Sequence, residues 1–219
     1  MNELIQTVLV YALPVVFAIT LYEAARGYAA RYFGDTTAQA QGRLSFNPMV
    51  HIDPMGTLVI PVVLYLVTQG AFLFGYAKPM PLNYSMLRDP KKNLKWIALS
   101  GPAVNLLMGF AWMLLSILLV ALSVEEPFFS KMARAGVLTN LAMFAFHLLP
   151  IPPLAGGQII LSLLPHAQAY KYAKIEPYCF FILIGLALLH VLQYWMVPLM
   201  TVGSYVLQLL ASPFIALLT

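Results

Sequence analysis

The last 42 residues, 178–219, contain no Asp, Glu, Lys or Arg. A helix crosses a bilayer in about 20 apolar residues, so this run is long enough for two crossings, and Pro198 is the natural place to divide them. Composition extends the constraint to the rest of the chain. Of its 219 residues, 61% are hydrophobic and 9% charged, whereas soluble domains carry about 25% charged residues. Twelve Lys and Arg with eight Asp and Glu cannot cover a compact domain in water, so most of the outer surface is expected to face lipid.

The same numbers exclude other classes. A net charge of +4 does not point to nucleic acid, because the basic residues lie between apolar runs, where membrane orientation places them. The single cysteine, Cys179, sits in an apolar run; it forbids an internal disulfide and reads as a small buried hydrophobe. No cleaved signal peptide is expected, since only Glu3 precedes the first apolar core and no small-residue cleavage site follows it.

Four more apolar stretches complete the pattern. Residues 5–21 continue as a helix-compatible segment through Glu23, Arg26 and Arg31. Residues 55–77 are broken by Pro61, Gly70 and Gly75. Residues 96–124 carry Ser100 and Pro102 as helix-start residues. Residues 135–149 stop at Pro150, Pro152 and Pro153, and the apolar character resumes over 154–164. The expected fold is an all-α polytopic membrane protein of five to six transmembrane helices, one membrane-embedded domain over 1–219, with a short re-entrant or β-like loop.

Charge motivates that loop. Residues 78–95 carry Lys78, Arg88, Lys91, Lys92 and Lys95 against Asp89 alone, which marks a cytoplasmic segment. Strict alternation of spans would then put the equally basic Arg31 and Arg43 outside. The conflict disappears if part of residues 42–77 enters and leaves by one face.

Ionisable groups within apolar helix are costly and mark function by default. Polar groups interrupt the apolar runs in Leu21-Tyr22-Glu23-Ala24-Ala25-Arg26-Gly27, in residues 42–57 (GRLSFNPMVHIDPMGT), in 100–105 (SGPAVN) and in 140–157 (NLAMFAFHLLPIPPLAGG). On a helix Tyr22 and Arg26 share a face, with Glu23 beside them.

In order and wording these stretches resemble the site-2 protease family of intramembrane zinc metalloproteases, in particular its compact bacterial branch. Members carry HEAAHGY, GR, NPxxHIDPxGT, an AKPVPVN-like segment, GPxxN and NLLPIPPLDGG. The matching positions here are 22–28, Gly42-Arg43, 47–57 with Asn47, Pro48, His51 and Asp53, 77–83 (AKPMPLN), 101–105 with Gly101, Pro102 and Asn105, and 147–157 with His147, Gly156 and Gly157. The resemblance implies a bacterial inner-membrane protein. It also implies a zinc site in which two histidines at i and i+4 and the aspartate of LDGG bind the metal, while the glutamate is general base to the bound water.

The departures bear on activity. Tyr22 and Arg26 stand at the histidine positions and Ala155 at the aspartate position; Glu23 alone is retained. Alanine has no lone pair to offer, arginine stays protonated, and a neutral tyrosine is a poor ligand. The expectation is therefore a non-catalytic relative with no cofactor. The alternative is an active zinc metalloendopeptidase with atypical ligands.

Individual residues carry paired readings. Glu23 and Arg26, with the Tyr22 hydroxyl, either replace the metal as a buried plug or face interfacial water and interact weakly. His147 occupies a position where the family has asparagine; it is a hydrogen-bonded core histidine or joins His51 and Glu23 in another metal site. His190 reads as an interhelical hydrogen-bonding residue. Asn105 polarises a substrate carbonyl, as the resemblance implies, or bonds between helices. Residues 42–54 pair with an extended substrate, as in relatives, or close the bundle. The partners expected are the lipid bilayer and the transmembrane or juxtamembrane segments of single-pass membrane proteins or peptides, with no nucleic acid.

Overall fold

The computed structural model describes residues 2–60, 63 and 77–218. Among them are eight α-helices: α1 (Asn2–Tyr32), α2 (Thr37–Ala40), α3 (Pro90–Ala121), α4 (Pro127–His147), α5 (Ala155–Leu163), α6 (His166–Ala173), α7 (Cys179–Leu188) and α8 (Leu192–Leu218). Three are long and apolar enough to cross a membrane, over Ile5–Tyr32, Pro90–Ala121 and Leu192–Leu217. Their outward positions are apolar, among them Leu9, Val16, Leu107, Val120 and Leu209, as a lipid-facing surface requires. The stretch expected as a span over 55–77 falls largely outside the described residues.

The described residues contain no strand, so the β-like form of residues 42–54 is not what the chain adopts. Local chemistry explains why. Asn47 Oδ1 accepts the Met49 N–H at 3.0 Å and caps a 3-10 turn over Pro48–Val50. Asp53 Oδ1 accepts the Gly56 N–H at 2.7 Å and caps a π-helical turn over Pro54–Val59. Each turn starts at a proline, whose fixed φ and missing N–H suit a first helical position and remove a donor from any strand ladder.

Two boundaries differ from expectation. α3 begins at Pro90, behind an Asp89 cap that accepts the Lys92 N–H at 3.2 Å; that hydrogen bond holds the Asp89 carboxyl below the usual carboxylate range. Ser100 and Pro102 lie inside the helix, where the Ser100 hydroxyl donates to the Ile97 carbonyl at 2.7 Å. A proline is tolerated in a membrane helix where hydroxyls and neighbouring helices re-satisfy the backbone. At the C-terminal end the chain divides at residues 189–191. His190 takes a left-handed φ of +55°, its N–H reaches Ala187 O at 3.0 Å, and Val191 N–H reaches Leu186 O at 2.9 Å. This pair of bonds is a Schellman cap, so His190 terminates α7 and is exposed there. Pro198 lies inside α8, and the Thr201 hydroxyl donates to the Val197 carbonyl beside it at 2.8 Å.

α1, α3 and α4 pack against one another, with α5 against α3, and α8 against α3 and α4. α1 and α4 run parallel, since Tyr22 meets His147 while Gln6 and Tyr11 line a groove with Lys131 and Leu138. α3 runs opposite to both: Ala30 packs on Ile97, the Tyr22 ring lies on Gly101, and Trp112 lies on Gly136. α8 is tied to α4 by the Trp195 indole N–H, which donates to Ala145 O at 3.2 Å. The end of the bundle where α1 and α4 finish therefore collects the start of α3, the proline turn and α6. Every Lys and Arg of the chain belongs to that end except Lys131 and Arg134.

Candidate functional site

One turn and a half of α1 places Tyr22, Glu23 and Arg26 inward, with 3%, 7% and 9% of their surfaces exposed. Glu23 Oε2 accepts the Met80 backbone N–H at 2.8 Å and lies 3.6 Å from Arg26 Nη1. Arg26 Nη2 donates to Gln158 Oε1 at 3.4 Å, and the guanidinium sits 5.7 Å from the centre of the Tyr22 ring. Arg26 Nε is buried with no hydrogen-bond partner among the described residues. The pair is thus buried, and the interfacial-water reading does not describe it.

Tyr22 is wedged between α3 and α4. Its ring centre is 3.9 Å from that of His147, tilted by 31°, and on its other side a Cβ at Gly101 would overlap it. His147 Nδ1 is 2.8 Å from Met143 O. His51 stands elsewhere, almost fully buried, with Nε2 2.8 Å from Ser45 O and Nδ1 without a partner.

Ala155 is the first residue of α5 and is buried. Before it the chain reverses through Pro150, Pro152 and Pro153, so closely that a Cβ at Gly156 would overlap the Leu148 and Leu149 carbonyls, and one at Gly157 the Ile151 and Pro152 backbone. Only glycine permits that approach. The reversal presents the first turn of α5 to α1, and Gln158, three residues after Ala155, is the side chain that reaches Arg26.

A strap over residues 77–83 crosses the inner face of α1. Lys78 N–H donates to His51 O and Lys78 O accepts from Arg43 Nη2, both at 2.9 Å. Met80 N–H is held by Glu23 and Asn83 N–H by the buried Asp35, at 2.7 Å. Pro79 and Pro81 contribute no N–H. The chain therefore leaves this end at His51 and is back beside it at Lys78.

A cleft of about 1180 Å³ opens along these groups. Among the described residues its polar wall includes Tyr22, Glu23, Arg26, His147, Gln158 and Glu176, and its apolar wall includes Met143, Phe146, Leu154, Leu183 and Met196. The arrangement can exclude water and offer a buried cationic donor to a polar backbone group. The expected site residues divide accordingly. Glu23, Tyr22, Arg26 and His147 converge at the cleft, with Gly101, Gly156 and Gly157 shaping its walls. Asn47, Pro48, His51 and Asp53 build the turns ahead of the strap. Among the described residues Asn105 is fully buried and lacks a partner on either side-chain polar atom, and it is not among those lining the cleft; Pro102 is buried on the same helix.

Sequence reasoning missed three participants: Gln158, Asp35 and the Met80 amide. Helical spacing from Ala155 was the available signal for Gln158, and the AKPMPLN match drew attention to the strap. Asp35 had no signal, because a lone acid beside a helix end reads as solvated.

A carboxylate is thus held where the first helix, the strap and the proline-broken helix meet, a scaffold whose class the sequence itself gives. Comparison with known proteins specifies it. The chain is 33% identical over 214 residues to the Bacillus subtilis protein named "Putative zinc metalloprotease YwhC", covering 93% of this chain and 92% of that one. It is 29% identical over 186 residues to the Mycolicibacterium smegmatis protein named "Putative zinc metalloprotease Rip2", covering 81% and 66%. No family model matches, and no solved structure matches. The chain belongs to the site-2 protease family.

Proposed function

We propose that this chain is a non-catalytic member of its family, an integral protein of a bacterial inner membrane that holds transmembrane or juxtamembrane segments of clients in the cleft without cutting them. The observation that carries the reading is the state of Glu23. The carboxylate at the general-base position already accepts the Met80 N–H and faces the Arg26 cation, so it is engaged in structure.

The donor set does not suit a divalent cation. Arg26 brings positive charge to the place, Ala155 brings no donor, and Tyr22 would have to ionise inside an apolar wall while stacked on His147. Without a metal nothing lowers the pKa of a water to about 7. Arg26, which lines the cleft, suits instead the carbonyl of an unwound client segment, whose backbone must find partners away from water.

The five to six spans belong to this proposal, with residues between His51 and Lys78 entering and leaving at one face. The meeting of Lys78 with His51 and Arg43 supports it, and the basic end then faces the cytoplasm. A second reading, an active zinc metalloendopeptidase with atypical ligands, is favoured by the names of both relatives. A cleavage and binding assay on transmembrane peptides in mild detergent separates the two. Wild-type protein and Glu23→Gln should both bind peptide and leave it intact. Turnover that disappears in Glu23→Gln would overturn the proposal.

A further inference from the structure

At the opposite end of the bundle the charge pattern reverses. Lys131 and Arg134, one turn apart on α4, are the two cations of the chain that lie there, and both are exposed. Neither has an ion pair or side-chain hydrogen bond among the described residues: the acid nearest in sequence, Glu126, accepts the Phe128 N–H. The two border a groove of about 380 Å³ between α1 and α4, whose other walls are Gln6, Thr7, Val10 and Tyr11. Tyr11 and Leu138 line both this groove and the large cleft, so the two spaces adjoin at these side chains. From Tyr11 to Tyr22 the apolar path is about 16 Å long at 1.5 Å per residue.

We propose that this groove is a phospholipid site, in which Lys131 and Arg134 hold the headgroup phosphate and one acyl chain lies past Tyr11 and Leu138 toward Tyr22. Charge and shape support each other. Two exposed cations at the edge of a membrane helix match a phosphate diester, while the adjoining apolar space matches a chain attached to it and gives a free phosphate nothing to use. Phosphatidylglycerol suits the site best, since its headgroup brings no amine to compete for the phosphate. The inference is independent of whether Glu23 has lost its catalytic task.

Native mass spectrometry of the full chain in mild detergent, titrated with phosphatidylglycerol, tests it. Wild-type protein should retain one phospholipid, and Lys131→Gln/Arg134→Gln should bind about thirtyfold more weakly, two surface-charge contributions of about 1 kcal/mol each. Lys131→Arg/Arg134→Lys should stay within about threefold of wild type, because both charges remain. Leu138→Trp, which fills the groove without touching charge, should also weaken binding, and inorganic phosphate should not compete at millimolar concentration. All the replaced residues are exposed, so the melting temperatures of the variants should match that of wild type. Undiminished affinity in the Gln double variant would overturn the proposal. So would phosphate competing as well as lipid, with Leu138→Trp without effect, since that outcome describes an ion site with no acyl chain.

Discussion

At the scale of single residues, one helical turn of α1 forms a buried polar unit. Glu23 accepts the Met80 N–H and faces Arg26, and in the proposed reading Arg26 stands where a metal would otherwise compensate the acid. Removing one member of a buried pair costs about 3–5 kcal/mol because the other is left uncompensated. Arg26→Leu is therefore expected to destabilise by about that amount. Glu23→Gln/Arg26→Leu should recover most of the loss, since glutamine retains an oxygen for the Met80 N–H. Unfolding by detergent titration measures both. A loss under about 0.5 kcal/mol in Arg26→Leu would mean that the pair behaves as an exposed one.

Elements meet here through small residues. Gly101 lets the Tyr22 ring lie on the α3 backbone, and that contact sets how closely α1 and α3 approach beside the cleft. Gly101→Ala should cost about 1–3 kcal/mol through overpacking, and the cost should largely vanish in a Tyr22→Ala background. A double-mutant cycle on thermal stability reads this coupling directly; additive effects would separate the ring from the glycine. The same elements show what was legible in advance. Hydrophobic runs located α1, α3, α4 and α8, and the motif order located Tyr22, Glu23 and Arg26 on one face. The boundaries were less legible. Pro102 read as a helix start and Pro198 as a break, but a helix held among other helices tolerates a missing N–H. The actual break at His190 depends on a left-handed φ of +55° in a residue type with no strong preference for it. Gln158 and Asp35 act over 132 and 48 residues of separation, and no local pattern encodes such pairings.

For the whole molecule, the parallel course of α1 and α4 resolves a charge conflict that span counting alone creates. Arg43 and Lys78 meet in one hydrogen bond, so both basic loops occupy the same end, and the orientation rule applies to them jointly. In a Cys179→Ser background, Lys92→Cys should resist a membrane-impermeant maleimide added to intact cells, whereas Glu125→Cys should react. The reverse pattern would invert the orientation. The central claim, that the family metal site has been replaced by a side-chain cluster, is tested most directly by the zinc content of the purified chain. The account predicts zinc far below one per chain in wild type. It predicts a rise toward one only in Tyr22→His/Arg26→His/Ala155→Asp, which rebuilds two nitrogen ligands and a carboxylate beside Glu23. Zinc near one per chain in the wild-type protein, lost on replacing His147 or His51, would contradict it.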